Sequence, residues 1–295
     1  MKIGFIGAGK VGFSLGRYMM EQDMPVSGYY SQNVNSAKEA AAFTQTNYYS
    51  TMEELVYASD IIFLTVPDQN IKTVWEELKQ FNLKNRLICH CSGALSSQVF
   101  YEMAHTGGYG YSIHPLYAVH SKTHSYQGLY HCYFTIEGDR KYMDFWKNFF
   151  SKLGNPCIEL DSQQKTLYHC AAASASNLVL GLYAFSAKLL ENCGFSENAA
   201  REALRYLFVQ NAEHAAEVGL SDALTGPVER GDIDTVRKHL AALNQLEGVE
   251  QVEIYRLLSK EVVSLAKDKH PERDYSGLCE LLETNYTTAE YCSDK

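Results

Sequence analysis

The sequence predicts an α/β protein in which a doubly wound, largely parallel sheet (residues 1–161) is followed by an all-helical domain (residues 162–295). Three observations carry this reading. A short apolar run at the N-terminus passes straight into three spaced glycines, the pattern of a strand turning into a helix. Up to residue 161, apolar stretches of strand length alternate with helical segments, as in βαβ units. Beyond residue 164 the strand-like runs stop and a helical period takes over. With 295 residues, 46% of them hydrophobic, the chain exceeds what one layered core usually holds, which also favours two domains.

Residues 2–6 form the first strand, and Gly7, Gly9 and Gly12 follow at G-x-G-x-x-G spacing. Gly7 permits a tight turn, Gly9 a close approach of backbone to pyrophosphate, and Gly12 close packing of helix on strand. The turn Gly7, Ala8, Gly9, Lys10, Val11 and Gly12 is therefore the candidate phosphate cradle, with the helix dipole and unpaired N–H groups behind it. A helix is predicted over 14–21, a second strand over 25–30 and a second helix over 36–43. A site built for NAD places Asp or Glu at the end of that second strand, to accept from the ribose 2′-hydroxyl. Here Ser31, Gln32 and Asn33 follow Tyr30 with no carboxylate, so a 2′-phosphate is not repelled, and Lys38 is within sequence reach. NADP(H) is the expected cofactor.

Residues 59–67 (SDIIFLTVP) read as a central parallel strand whose end, Thr65, Val66 and Pro67, borders the nicotinamide side. Strands are expected at 86–92, 110–114, 131–138 and 156–160, with a helix over 93–103. Residues 166–187 then run without a charge and with a helical period. A membrane span is weighed and set aside, because His169, Ser174, Ser176 and Asn177 are costly in lipid. Burial of this helix between domains or subunits is expected instead. Helices follow over 196–218, 232–245 and 249–269, broken at Gly226, Pro227 and Gly231, and their small-residue faces suit a homodimer.

The net charge of −9, with no run of basic residues, argues against a nucleic-acid surface. Eight scattered cysteines without CxxC spacing read as reduced, mostly buried thiols of a cytoplasmic protein, and the N-terminus shows no secretion signal. His120, His124 and His131 lack the supporting ligands of a metal site, so no metal is expected. Chemistry is expected from His114 and Ser92, which end neighbouring strands, and from Lys165, His169 and Ser176, which share one stripe of a straight helix. Glu229, Arg230 and Asp232 sit in a Gly/Pro loop where charge pairing serves either to lock the loop or to bind substrate.

The HPLY at 114–117, IEGD at 136–139, the YH…SASN run at 168–177 and ALTGPVERGD at 223–232 together resemble the Rossmann-like NADP oxidoreductases with a C-terminal helical domain of unknown function. The domain order is also similar to pyrroline-5-carboxylate reductase and to dehydrogenases with a 6-phosphogluconate-dehydrogenase-like helical domain. Those relatives imply dimers with substrate between the Rossmann cleft and the helices. Ser174 to Asn177 occupy the place of the reductase's Gly/Ser-rich helix start, without its glycines. Ser92 and the HPL at His114 are similar to the Ser and His-Pro-Met of prephenate dehydrogenases, where the His engages a substrate hydroxyl. The resemblance implies an NADP(H)-dependent oxidoreductase moving hydride to or from a C–O or C–N carbon of a small acidic metabolite. In that scheme His114 exchanges a proton with the substrate, Ser92 orients it, and Lys165, His169 and Asn177 bind its polar groups. The competing expectation is a non-catalytic NADP(H) sensor or scaffold.

Overall fold

The computed structural model describes residues 1–246 and 250–283. Eight strands, β1 (Ile3–Ile6), β2 (Val26–Tyr30), β3 (Asn47–Tyr48), β4 (Ile61–Leu64), β5 (Leu87–His90), β6 (Tyr109–Pro115), β7 (Phe134–Gly138) and β8 (Cys157–Glu159), form one sheet. Their order is β3-β2-β1-β4-β5-β6-β7-β8. All neighbours are parallel except β6 and β7. The order reverses between β1 and β4, and at such a switch point an open α/β sheet leaves a crevice at its strand ends.

The central strands read as unbroken apolar runs because both faces of the sheet are covered. Ile3, Phe5 and Phe63 pack with α1 (Lys10–Glu21), α2 (Val34–Thr44) and α6 (Met143–Leu153), while Ile6, Ile62 and Leu64 pack with α3 (Met52–Ala58) and α4 (Asp68–Leu78). Phe5 stacks on Tyr29 and Phe63 at 5.1 and 5.7 Å between ring centroids, joining three strands through their side chains.

The chain divides into two compact units, Met1–Leu178 and Val179–Lys295. The expected division at residue 161 followed the change in composition, but α7 (Lys165–Ala173) packs with the sheet through buried Lys165. A single π-turn, Ser174–Leu178, interrupts the helix that the sequence reads as straight. The helix expected over 93–103 is also corrected. A 3₁₀ turn at Ser97–Val99 and the one-turn α5 (Met103–Thr106) stand there. Ser92 Oγ accepts from the Ala94 and Leu95 amides, and Glu137 accepts from Ser97, local bonds that compete with a helical ladder.

The second unit comprises α8 (Val179–Asn192), α9 (Glu197–Val218), α10 (Leu220–Ala223), α11 (Pro227–Arg230), α12 (Ile233–Asn244), α13 (Glu250–Lys269) and α14 (Ser276–Glu283). Its core is built on Val228, Val236, Leu240, Val263 and Leu278. The first residue of the helix expected over 249–269 lies outside the described residues. Glu229 locks the Gly/Pro loop: its carboxylate meets His270 Nε2 at 2.5 Å, and Arg273 and Tyr275 donate to its carbonyl. Asp232 caps α12 through Thr235, which completes the locking.

Within one chain the apolar segment is largely uncovered. Ser162–Asn192 is long and apolar enough to cross a membrane by length and composition, and Leu167, Leu178 and Leu180 stay exposed within the chain. The cysteines are also less buried than expected. Cys89 and Cys132 are buried, Cys170 and Cys193 are exposed, and none of the described ones is paired; Cys292 lies outside the described residues.

Candidate active site

A crevice of about 580 Å³ opens at the ends of β1, β2 and β4. Gly7, Ala8, Gly9, Ser31, Gln32, Asn33, Thr65, Val66 and Pro67 all line it, so most of the sequence-predicted cofactor set converges. The three glycines separate cleanly by cause. Gly7 has φ +101°, and a Cβ there would meet the Thr65 backbone at 2.9 Å. At Gly12 a Cβ would fall 2.6 Å from Thr65 Oγ1 and 2.7 Å from the Gly7 carbonyl, so the helix could not seat on β4. At Gly9 the nearest protein atom to a Cβ is Thr65 O at 3.8 Å, an ordinary contact. The protein's own packing does not require glycine there, which leaves that position open to close approach by a bound group.

Gly9 is also the N-cap of α1, with no side-chain cap and no acidic residue in the first turn. The first N–H groups of α1 are thus left for an anion, and the positive dipole end favours one. Asn33 caps α2 by accepting from the Asn35 amide, and that helix too has no acid in its first turn. Ser36 joins Ser31 and Gln32 on the wall, a residue not singled out from sequence. These residues fit a dinucleotide whose ribose carries a phosphate. Lys10, Val11 and Gly12 do not line the crevice, and Lys38 lies over the Tyr48 ring instead, at 5.1 Å from its centroid.

The second cavity, about 600 Å³, is lined by His114, His169, Ser176 and Asn177 together with Tyr168 and small residues such as Ala172. No carboxylate is among its lining residues. A short path of peptide bonds, one hydrogen bond and one contact links the two cavities: Pro67 lines the first, its neighbour Asp68 accepts from Ser92 Oγ at 2.6 Å, and Gly93 lies against His114. His114 extends from β6, where the two-residue period puts it on the same face as Ser112. Its Nδ1 lies 2.6 Å from the Tyr168 hydroxyl.

Ser92 and Lys165 occupy the floor rather than the cavity wall. Ser92 is 4% exposed and its hydroxyl is fully used, donating to Asp68 and accepting from two amides. It orients the loop that carries Gly93, in place of the expected contact with substrate. Lys165 is 2% exposed and donates to Ser92 O at 3.1 Å and Ser112 Oγ at 2.8 Å. Burial lowers its pKa to about 8, opposed by the carboxylates of Glu137 and Asp68. His114 is pushed down to about 3, first by burial and then by Lys165, His169 and His90. It is therefore neutral near pH 7. The π-turn removes Ser176 from the straight stripe, and its hydroxyl donates to the Ala172 carbonyl. Among the described residues there is no metal-ligating cluster.

Sequence reasoning missed Asp68, Ser112, His90 and Tyr168 as parts of this floor. His90 bridges the loop, its Nδ1 accepting from the Ser92 amide and its Nε2 facing Ser96 O at 3.1 Å. The period-two pairing on β6 was the available signal for Ser112. Nothing local marks Asp68, whose partner is 24 residues away.

A nucleotide crevice at the switch point beside a histidine-lined cavity defines a Rossmann-type oxidoreductase. Residues 2–92 match the family described as NADP oxidoreductase, coenzyme F420-dependent, and residues 132–262 match the domain of unknown function DUF2520. The N-terminal part is thus similar to the NADP oxidoreductase family and the C-terminal part to DUF2520. Since the DUF2520 match starts at Cys132, that domain includes β7 and β8 of the sheet. A protein from Thermotoga maritima superposes with a TM-score of 0.72 at 25% identity, covering 91% of this chain and 99% of its own. A candidate NADP oxidoreductase from Bacteroides fragilis does so with 0.64 at 23% identity, covering 89% and 98%. Pyrroline-5-carboxylate reductase from Coxiella burnetii gives 0.61 at 14% identity, covering 90% and 97%, which shows the shared fold. A comparison with curated proteins found no match.

Proposed function

We infer that this NADP oxidoreductase moves hydride between nicotinamide and a C–O or C–N carbon of a small acidic metabolite held in the cavity of His114 and His169. The observation that carries the reading is His114 lining a cavity without carboxylates, its Nδ1 held by Tyr168 and its Nε2 with no hydrogen-bond partner among the described residues. NADPH, when bound, supplies the hydride. His114 hydrogen-bonds the substrate heteroatom. Lys165, charged below about pH 8, favours an anionic substrate through the floor, and His169 and Asn177 take its polar groups.

A screen of ketoacids, cyclic imines and hydroxyacids by NADPH absorbance tests this. Oxidation of NADPH by at least one member of the acid-bearing set is expected, and its abolition in His114→Ala with NADPH binding kept. Tight NADPH binding with no turnover across the screen would favour the sensor reading instead. The exposed Tyr206 and Leu207 of α9 support a homodimer through the helical unit, and the unpaired thiols support a reducing, cytoplasmic setting.

A further inference from the structure

The hydrogen-bond partner of His114 decides what its imidazole can do. A neutral imidazole carries one N–H, and the nitrogen that lacks it is an acceptor. Thr135 stands opposite His114 in the β6/β7 register, and its Oγ1 is buried with no hydrogen-bond partner. Among the described residues, the side-chain hydrogen bond of the Tyr168 hydroxyl is to His114 Nδ1.

Two directions of bonding are open to this group. If His114 donates from Nδ1 to Tyr168, the Tyr168 proton is left without an acceptor among the described residues. If Tyr168 donates to Nδ1, that proton is used. A polar hydrogen left unpaired inside the protein is costly, so the second direction is preferred.

We propose that Tyr168 is a positioning residue that fixes His114 as the Nε2–H tautomer, so that the cavity is offered a hydrogen-bond donor rather than a base. Gly93 keeps the space beyond that donor open. A Cβ at position 93 would lie 3.0 Å from His114 Nε2 and 2.9 Å from His169 Cδ2, filling the gap between the two rings. A substrate oxygen or nitrogen that gains negative charge as hydride arrives is stabilised by such a fixed donor. The assignment to catalysis rests on the function proposed above, whereas the tautomer does not.

The test is long-range ¹H–¹⁵N NMR of histidine rings in the full-length protein at pH 7, with His114 assigned by the signal lost in His114→Gln. The wild type is expected to show a protonated Nε2 and an acceptor Nδ1 at His114. Tyr168→Phe is expected to give comparable populations of both tautomers and, on any substrate found, about a 10- to 100-fold lower kcat with KM and NADPH affinity little changed. A wild-type proton on Nδ1, or an unchanged tautomer in Tyr168→Phe, overturns the proposal. Should that variant not fold, the wild-type spectrum decides alone: one tautomer with its proton on Nε2 is expected, and a proton on Nδ1 or a mixture of both counts against the proposal. A correct tautomer without any turnover would instead refute the functional reading and leave the tautomer assignment standing.

Discussion

At the scale of single residues, the site is governed by two displaced titrations. Lys165 carries its charge below about pH 8, so turnover that needs this cation should fall as pH rises through that value. In Lys165→Met the falling limb should vanish and the remaining rate should be low and flat; a pH–rate profile identical to wild type would remove Lys165 from the mechanism. His90 and His114 are held neutral, at about 4 and about 3, below the ordinary value of 6.5. Between those limits the unfolded chain binds more protons than the folded one, so folding stability is present above about pH 6.5 and is lost as pH falls towards 3. Urea melts at pH 7 and pH 5 should show this loss in the wild type and a smaller one in His90→Asn. His114 was legible in the sequence because a histidine at the end of an apolar strand stands where an α/β sheet presents groups to a ligand. The burial of Lys165 was not, since it depends on Ser92 and Ser112, 73 and 53 residues away.

At the scale of elements, the turn from β1 into α1 separates fold from function by glycine. Gly12→Ala inserts a methyl into the contact of α1 with Thr65 and should cost about 1–3 kcal/mol of stability. Gly9→Ala meets nothing closer than 3.8 Å within the protein, so its melting temperature should stay near wild type while NADPH affinity drops at least about tenfold, or about 1.4 kcal/mol. Thermal melts read beside a fluorescence titration distinguish the two, and equal effects in both assays would contradict the division. Seven of the eight strands were legible as largely apolar runs, whereas the exposed two-residue β3 was not. Three further features escaped: the capping box Thr51–Glu54 that starts α3, the irregular loop after Ser92 and the π-turn at Ser174–Leu178. The first left a signal in the sequence, but the other two follow from tertiary bonds that outweigh local helical preference.

At the scale of the whole molecule, one crevice and one cavity lie in the same compact unit, so cofactor cradle and histidine site are fixed by a single sheet. The helical unit is built on its own core and leaves Tyr206 and Leu207 of α9 exposed. Sedimentation should therefore give about twice the 33.2 kDa chain mass, and a charged substitution at Leu207 should lower it to the monomer. The most direct test of the account is a calorimetric titration of the wild-type chain with NADPH and with NADH. Tighter binding of NADPH is predicted, because Ser31, Gln32 and Asn33 follow β2 in the crevice wall with no carboxylate among them and α2 has no acidic residue in its first turn. Tighter binding of NADH, or binding of neither, would contradict it.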